Sequence, residues 1–159
     1  MTFDESEERE QLNTYGYLGV NGCDGILQLL VAATDRSGAE IPITLNVKGT
    51  IVTGILISEK AFFLELSQRL TSKQLDFGSP NSVLEEIFGG IAESIAKNND
   101  REKAEDVPLG QPLFINLKNA NFLLSSNDII PVNDSLLWRG RLDMVDGFTF
   151  GKFTAFDQL

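Results

Sequence analysis

Apolar and polar residues alternate from Ile43 to Ser58, break at Lys48-Gly49, and then resume as an almost continuous apolar run. In the first half, Ile43, Leu45 and Val47 occupy every second position, which is the period of a half-buried β-strand. In the second half both parities are apolar, which is typical of a strand covered on both sides. The pattern therefore predicts a β-hairpin whose second strand lies centrally in a small sheet.

Helical periodicity flanks this hairpin on both sides. A helix is predicted to begin after Asp24, a favourable N-cap residue, and to stop at Ser37-Gly38. A second helix is predicted to follow Ser58, with an apolar stripe at helical spacing that we expect to pack in the core. The stripe consists of Phe62, Phe63, Leu66 and Leu70.

A third helix is predicted from about Ser82, and it contains the pair Gly89-Gly90. Each glycine costs a helix about 1 kcal/mol relative to alanine. The pair therefore predicts either very close packing of another element or a bend. The following residues, Asn98 to Val107, are polar and unpatterned, and we expect them to form an exposed loop.

The last third of the chain predicts more strands. Leu113, Ile115 and Leu117 are in phase, whereas the next apolar residues have the opposite parity, so a β-bulge is expected near Lys118-Asn119. Asp146-Gly147 favours a type I′ turn joining strands 136–145 and 148–153. That hairpin would place Trp138 and Gly140 on one face, where the small glycine makes room for the indole. It would put Arg139, Arg141, Phe148, Phe150 and Lys152 on the other face.

These elements predict an α+β fold. We expect a strongly curved antiparallel sheet or a small, partly open barrel of about five strands, with an N-terminal helix and a helical insertion at about 59–107. Residues 1–22 are acidic and are expected to be a disordered tail. Residues 23–159 are then expected to form a single domain, which suits a chain of 159 residues.

Composition narrows the possible functions. The chain has no histidine, one cysteine and a formal net charge of -10. Without histidine it lacks the usual general base and the commonest transition-metal ligand, so we expect no enzyme, metal or cofactor. The acidic balance disfavours nucleic-acid binding. No apolar run is long enough for a membrane span and no signal peptide is apparent, which predicts a cytoplasmic protein without membrane association.

The cations of the predicted sheet suggest one candidate contact patch. Arginine beside exposed aromatic residues is typical of interface hot spots. The candidate partner-binding residues are Arg139, Arg141, Phe148, Phe150, Lys152 and Lys48. The alternatives are that these charges are simply solvated, or that the helical insertion covers the two phenylalanines as part of the core.

Four segments carry a resemblance to a known family. They are VAATDRSG, ITLNVKGTIVTGILIS, LFINLKN and LLWRGRLDMVDGFTFGK, within residues 27–63 and 113–153. In these segments the chain resembles the gas vesicle accessory protein U (GvpU) family. The resemblance implies an accessory, non-shell protein of gas vesicles, with the vesicle shell or other gas vesicle proteins as partners.

Three function classes follow. The first is a gas vesicle accessory protein that binds vesicles or self-associates, supporting their assembly or clustering. The second is a generic interaction module on a small Sm-like or SH3-like barrel, with RNA as the obvious ligand and the acid excess against it. The third is an enzyme using a carboxylate pair such as Asp143 and Asp146, although these residues flank the predicted turn.

Overall fold

A computed structural model describes residues 19, 21–72, 81–106, 108–124, 128–131 and 136–153. The helices in this part of the chain are α1 (Gly25–Ser37), α2 (Glu59–Thr71) and α3 (Asn81–Ala104). The strands are β1 (Ile41–Val47), β2 (Thr50–Ile57), β3 (Phe114–Leu123), β4 (Ile129–Ile130), β5 (Leu136–Arg141) and β6 (Val145–Phe150). A 3-10 turn, Leu142–Met144, joins β5 to β6.

All described strands belong to one antiparallel sheet. Its order is β4-β3-β2-β1-β6, and β5 pairs with β3 beside β4. The predicted α+β class, the Ile43 to Ser58 hairpin and the central position of its second strand are confirmed. The sheet has six strands where about five were expected, and over the described residues it does not close into a barrel.

Helix α1 packs on one side of the sheet. Asp24 caps it by accepting the N–H of Leu27 at 2.8 Å, and Gly38 ends it in the left-handed region with φ 73°. Leu27 and Val31 are buried together with apolar side chains of β1, β2 and β3. The predicted helix and its two ends are therefore confirmed, and this layer forms the main hydrophobic core.

The predicted bulge in β3 is also confirmed. Thr53 pairs with Asn121 and Ile55 with Lys118, so one residue of β2 faces two of β3. Asn119 takes up the extra length with φ 49°, a conformation that asparagine tolerates. The facing residue is Gly54, where an added Cβ would lie 3.1 Å from the carbonyl oxygen of Lys118.

The predicted C-terminal hairpin is wrong. Strand β5 pairs with β3 and β6 pairs with β1, so the two strands do not pair with each other. Neither Asp146 nor Gly147 has the positive φ that a type I′ turn requires. Asp146 is instead the extra residue of a bulge opposite Asn46 and Val47. The Asp146 carboxylate accepts a hydrogen bond from the backbone N–H of Lys48 at 2.9 Å. Asp146 therefore makes a long-range contact with the β1–β2 turn instead of forming the local turn that its sequence favours.

The helical insertion between β2 and β3 is confirmed, but the loop expected near its end is mostly absent. Ser58 caps α2 as predicted, by accepting the N–H of Ala61 at 3.2 Å. Helix α3 runs to Ala104, so most of the expected loop at Asn98 to Val107 is helical. Polar residues suit an exposed last turn, and Arg101 and Lys103 there interact favourably with the helix dipole.

Two further observations concern the described part of the chain. No helix in it is both long and apolar enough to span a membrane. The acidic segment 1–22 falls almost entirely outside the described residues, so its expected disorder stays a prediction.

Candidate functional site

The six predicted contact residues do not form one patch. Cross-strand partners share a face of a sheet. Trp138 faces Leu117 and Phe148 faces Leu45, and both partners are fully buried beneath α1. The pairing therefore places Phe148 and Phe150 on the same side as Trp138 and places the two arginines on the opposite side. This corrects the expected grouping, which relied on the hairpin that does not form.

The two phenylalanines form an exposed apolar surface at the margin of the core. Phe148 packs against the core cluster, whereas the Phe150 side chain is 64% exposed. Their rings meet edge to face with centroids 6.0 Å apart. Phe153, Met144 and Phe150 are the exposed large apolar residues of the 142–153 segment. The helices of the insertion do not bury Phe150, so the interpretation of that residue as core is wrong.

The backbone of β6 adds hydrogen-bonding capacity to this surface. Among the described strands only β1 pairs with β6. The N–H of Gly151 donates to the carbonyl oxygen of Pro42 at 2.8 Å, so odd-numbered residues of β6 direct their backbone groups towards β1. The backbone groups of Phe148 and Phe150 consequently point away from the sheet. We call this outer edge of β6, with the side chains of Phe148 and Phe150, the β6 edge.

A pair of buried threonines holds the chain where it leaves β6. The hydroxyls of Thr44 and Thr53 are 2.8 Å apart on neighbouring strands. The Thr44 hydroxyl donates to the carbonyl oxygen of Gly151, and the Thr53 hydroxyl accepts the N–H of Phe153, both at 2.8 Å. Gly151 has φ 104°, a conformation that favours glycine. The half-buried Lys152 thus follows a fixed turn away from the β6 edge.

Lys48 lies in the β1–β2 turn and pairs with β6. Its ammonium group is 2.8 Å from the Asp146 carboxylate, and its side chain is 60% exposed. The hydrogen bond from Lys48 holds the pKa of Asp146 below its usual value. Four basic residues of the sheet have such local carboxylate partners in the described chain. The pairs are Lys48–Asp146, Lys118–Glu40, Arg139–Glu59 and Arg141–Asp143. The positive charge expected of the sheet is therefore largely neutralised in place.

Arg139 is a structural residue. Its guanidinium donates to the Asn116 side chain and to the Glu59 carboxylate, both at 2.7 Å. The same group lies 4.3 Å from the ring centroid of Phe114 and 5.3 Å from that of Phe63. Arg139 thus connects β5 to β3 and to the first turn of α2. Arg141, by contrast, is 58% exposed and pairs only with the nearby Asp143 among the described ion pairs.

Asp35 extends this network, and sequence reasoning missed it. Its carboxylate accepts the N–H of Glu59 at 2.7 Å, and its carbonyl oxygen accepts a hydrogen bond from the Asn99 amide at 3.2 Å. Burial raises the pKa of Asp35 to about 6, and the Glu59 charge adds to the shift. No sequence motif predicts these contacts, because Asp35 lies in the last turn of α1 and its partners are distant in the sequence.

A cavity of 240 Å³ adjoins Asp35 between the helices and the segment leading to β3. Asp35, Glu59 and Glu102 contribute carboxylates to its wall, and Asn99 contributes an amide. These groups offer hydrogen-bond acceptors but no nucleophile paired with a base. In the described residues, no cluster of three or more carboxylate or thiol side chains could hold a metal ion.

Comparison with known proteins gives one informative result. The family model described as "Gas vesicle protein GvpU-like" matches residues 24–153. The match begins at the N-cap of α1 and ends just after β6, so it spans the whole described fold. Neither a search of the curated proteins nor a search of the solved structures found a significant match.

Proposed function

Because the chain belongs to the GvpU-like family of gas vesicle proteins, we propose that it is a cytoplasmic accessory protein that binds gas vesicles or associates with itself, and so supports their assembly or clustering. The observation that carries this proposal is the family match over residues 24–153. The role is one of binding rather than catalysis, with the vesicle shell or another gas vesicle protein as the partner. Nucleic acid, membrane and cofactors have no part in it.

The β6 edge is the contact surface that best suits this role. It combines a strongly exposed aromatic side chain with backbone groups that point away from the sheet. Aromatic residues are enriched at interface hot spots, and an unpaired strand edge can accept another strand. Lys48 lies at one end of the edge and Lys152 follows the other, so both can contribute polar contacts. Arg141 is exposed but lies on the other side of the sheet, where it offers a separate contact, whereas Arg139 acts by holding β5 in place.

The connection between β5 and β6 supports the expected curvature of the sheet. Strand β5 ends at Arg141 and β6 begins at Val145. Four strand pairings separate β5 from β6 in the sheet, which corresponds to a distance of about 19 Å if the sheet is flat. A chain of four residues reaches at most about 14 Å. A sheet bent towards a small barrel satisfies this limit. The same curvature is what favours the second candidate, a generic interaction module on an Sm-like or SH3-like barrel.

Flotation separates the two candidates. Gas-filled vesicles rise on centrifugation, so a protein that binds them is carried to the surface layer. We expect the full-length chain to float with purified vesicles and to stay in solution without them. A vesicle-free RNA-binding assay at low salt provides the second arm, because electrostatic binding to phosphates would strengthen there. Flotation without RNA binding supports the accessory function. RNA binding without flotation would support the generic module and overturn the proposal.

Light scattering tests the self-association part separately. Vesicle clustering requires one molecule or assembly to bridge two vesicles. Added protein should therefore raise the scattering of a dilute vesicle suspension if it clusters them. Flotation with unchanged scattering would retain vesicle binding and contradict clustering.

A further inference from the structure

Helix α3 carries an exposed strip that no described element covers. Its inner face packs on α2, where the Ser67 hydroxyl donates to the carbonyl oxygen of Glu85 at 3.1 Å and Phe88 stacks on Phe63. The opposite face consists of residues spaced by four, three and four positions, as on one side of a helix. They are Val83, Ile87, Gly90 and Ser94, and all four are exposed. We call them the α3 strip. Val83 is 50% exposed and Ile87 is 49% exposed.

Gly90 is the informative member of the strip. Its neighbour Gly89 faces α2, where an added Cβ would lie 3.4 Å from the Ser67 hydroxyl oxygen. An added Cβ at Gly90 would meet nothing within 4 Å, and α3 continues unbroken through this position. Glycine inside a helix is unfavourable. Neither close packing by the described residues nor a break in the helix accounts for Gly90, whereas close approach of another molecule would.

Charge around the strip indicates which kind of partner fits. From Asn81 to Lys97, α3 contains three glutamates and one basic residue, Lys97, whose ammonium group lies 3.0 Å from the Glu93 carboxylate. Two of the glutamates, Glu86 and Glu93, are exposed on the outer face beside the strip. The region keeps a net negative charge, so a second copy of the chain would bring together two surfaces of like net charge, which is unfavourable. A partner with lysine or arginine beside its own apolar residues would be complementary.

We propose that the α3 strip docks an amphipathic helix of another protein, whose apolar residues are flanked by lysine or arginine. Gly90 lets the backbone of that helix approach closely, Val83 and Ile87 bury apolar surface, and the net negative charge around Glu86 and the Glu93–Lys97 pair selects the positive flanks. This surface lies on the helical insertion, away from the β6 edge. The inference therefore stands whether or not the β6 edge contacts vesicles.

A pair of designed peptides tests the proposal with the full-length chain. Both are helical, of about 20 residues, with leucine at one face, and they differ only in whether lysine or glutamate flanks the leucines. Binding is followed by fluorescence anisotropy of a labelled peptide. The lysine peptide should bind and the glutamate peptide should not. Equal binding of the two, or no binding of either, would overturn the proposal.

Variants of α3 localise the binding. Gly90→Leu should weaken the lysine peptide by at least about tenfold, because it fills the close-approach position at an interface core. It should not lower the urea midpoint of unfolding, since leucine favours helix and the site is open. Unchanged affinity in this variant would contradict the proposal.

A matched pair of charge variants separates specific docking from attraction to an acidic protein. Glu86→Lys with Glu93→Lys should abolish binding of the lysine peptide. Asp100→Lys with Glu105→Lys changes the net charge equally at exposed positions beyond the strip, and should leave most of the affinity. An equal loss in both pairs would show that only net charge matters, and the α3 strip would not be the site.

Discussion

The guanidinium of Arg139 lies 4.3 Å from the centroid of the Phe114 ring while donating a 2.7 Å hydrogen bond to Glu59. This arrangement joins β5 to β3 and α2 through one side chain. A planar, permanently charged group is required, because it stacks on the ring and donates in two directions at once.

Replacing Arg139 by alanine should therefore destabilise the fold. We expect a loss of about 2 to 3 kcal/mol in the free energy of unfolding, since the partly buried Glu59 carboxylate and Asn116 amide lose their partner. Arg139→Lys should restore little of this, because lysine cannot reproduce the stacked, two-directional contact. Urea denaturation followed by circular dichroism measures both.

Arg141→Ala is the matched control for Arg139. Its exposed ion pair with Asp143 should contribute less than about 1 kcal/mol. If the two variants were equally stable, Arg139 would not be a structural residue. A double Arg139 and Arg141 variant would therefore be destabilised as well as altered at its surface, so a loss of binding in it would not identify a contact residue.

Gly140 and Trp138 give a second prediction. A Cβ at Gly140 would lie 2.1 Å from Cη2 of the Trp138 ring, so the indole covers the glycine directly. Gly140→Ala should cost about 1 to 3 kcal/mol, the usual penalty for overpacking. Gly147→Ala is the control, because a Cβ there meets nothing within 4 Å and no positive φ is required. A Gly140→Ala variant as stable as the parent would show that the indole does not cover Gly140.

Asp35 predicts a pH dependence of stability. Its pKa in the folded chain is about 6, above its ordinary value of 3.8, so the folded state binds this proton more tightly than the unfolded state. The contribution of protonated Asp35 to the stability of the fold is therefore fully present below about pH 4 and is lost as the pH rises through about 6. Burial is the main cause of the raised pKa and the Glu59 charge adds to it, whereas the hydrogen bond from the Glu59 N–H and the charge of Arg139 lower it.

Asp35→Asn should remove that component of the pH dependence while keeping an oxygen to accept the Glu59 N–H. Relative to the parent, the variant should gain stability between pH 4.5 and pH 7.5. Urea midpoints at the two pH values measure the gain, and Asp106→Asn, at an exposed position, serves as the control. Parallel pH profiles for the Asp35 variant and the parent would contradict the prediction.

Local signals in the sequence were sufficient where neighbouring residues determine the structure. The Ile43 to Ser58 hairpin and the Asp24 and Ser58 caps depend on residues within a few positions of one another. The bulge at Asn119 followed from a break in alternation, because Leu117 and Ala120 can both be buried only if one extra residue lies between them.

Long-range contacts explain the failures. Asp146-Gly147 has strong turn propensity, yet Asp146 binds Lys48, which is distant in sequence, and the turn does not form. This single error assigned Phe148 and Phe150 to the face of Arg139 and Arg141, whereas the strand pairing places them on the opposite face. The sequence could not predict the network of Asp35, Glu59 and Arg139 for the same reason. Its members lie on three different elements, α1, α2 and β5.

We propose that the β6 edge contacts gas vesicles, and flotation of Phe150→Ser with purified vesicles is the most direct test of that contact. Phe150 is 64% exposed, so the variant should fold normally by circular dichroism and thermal melting. Leu64→Ser, at a 44% exposed position on α2, is a control that also replaces an exposed apolar residue by serine. We expect Phe150→Ser to lose most of the floating fraction while Leu64→Ser keeps it. Equal flotation of the folded Phe150→Ser variant and the parent would contradict the claim.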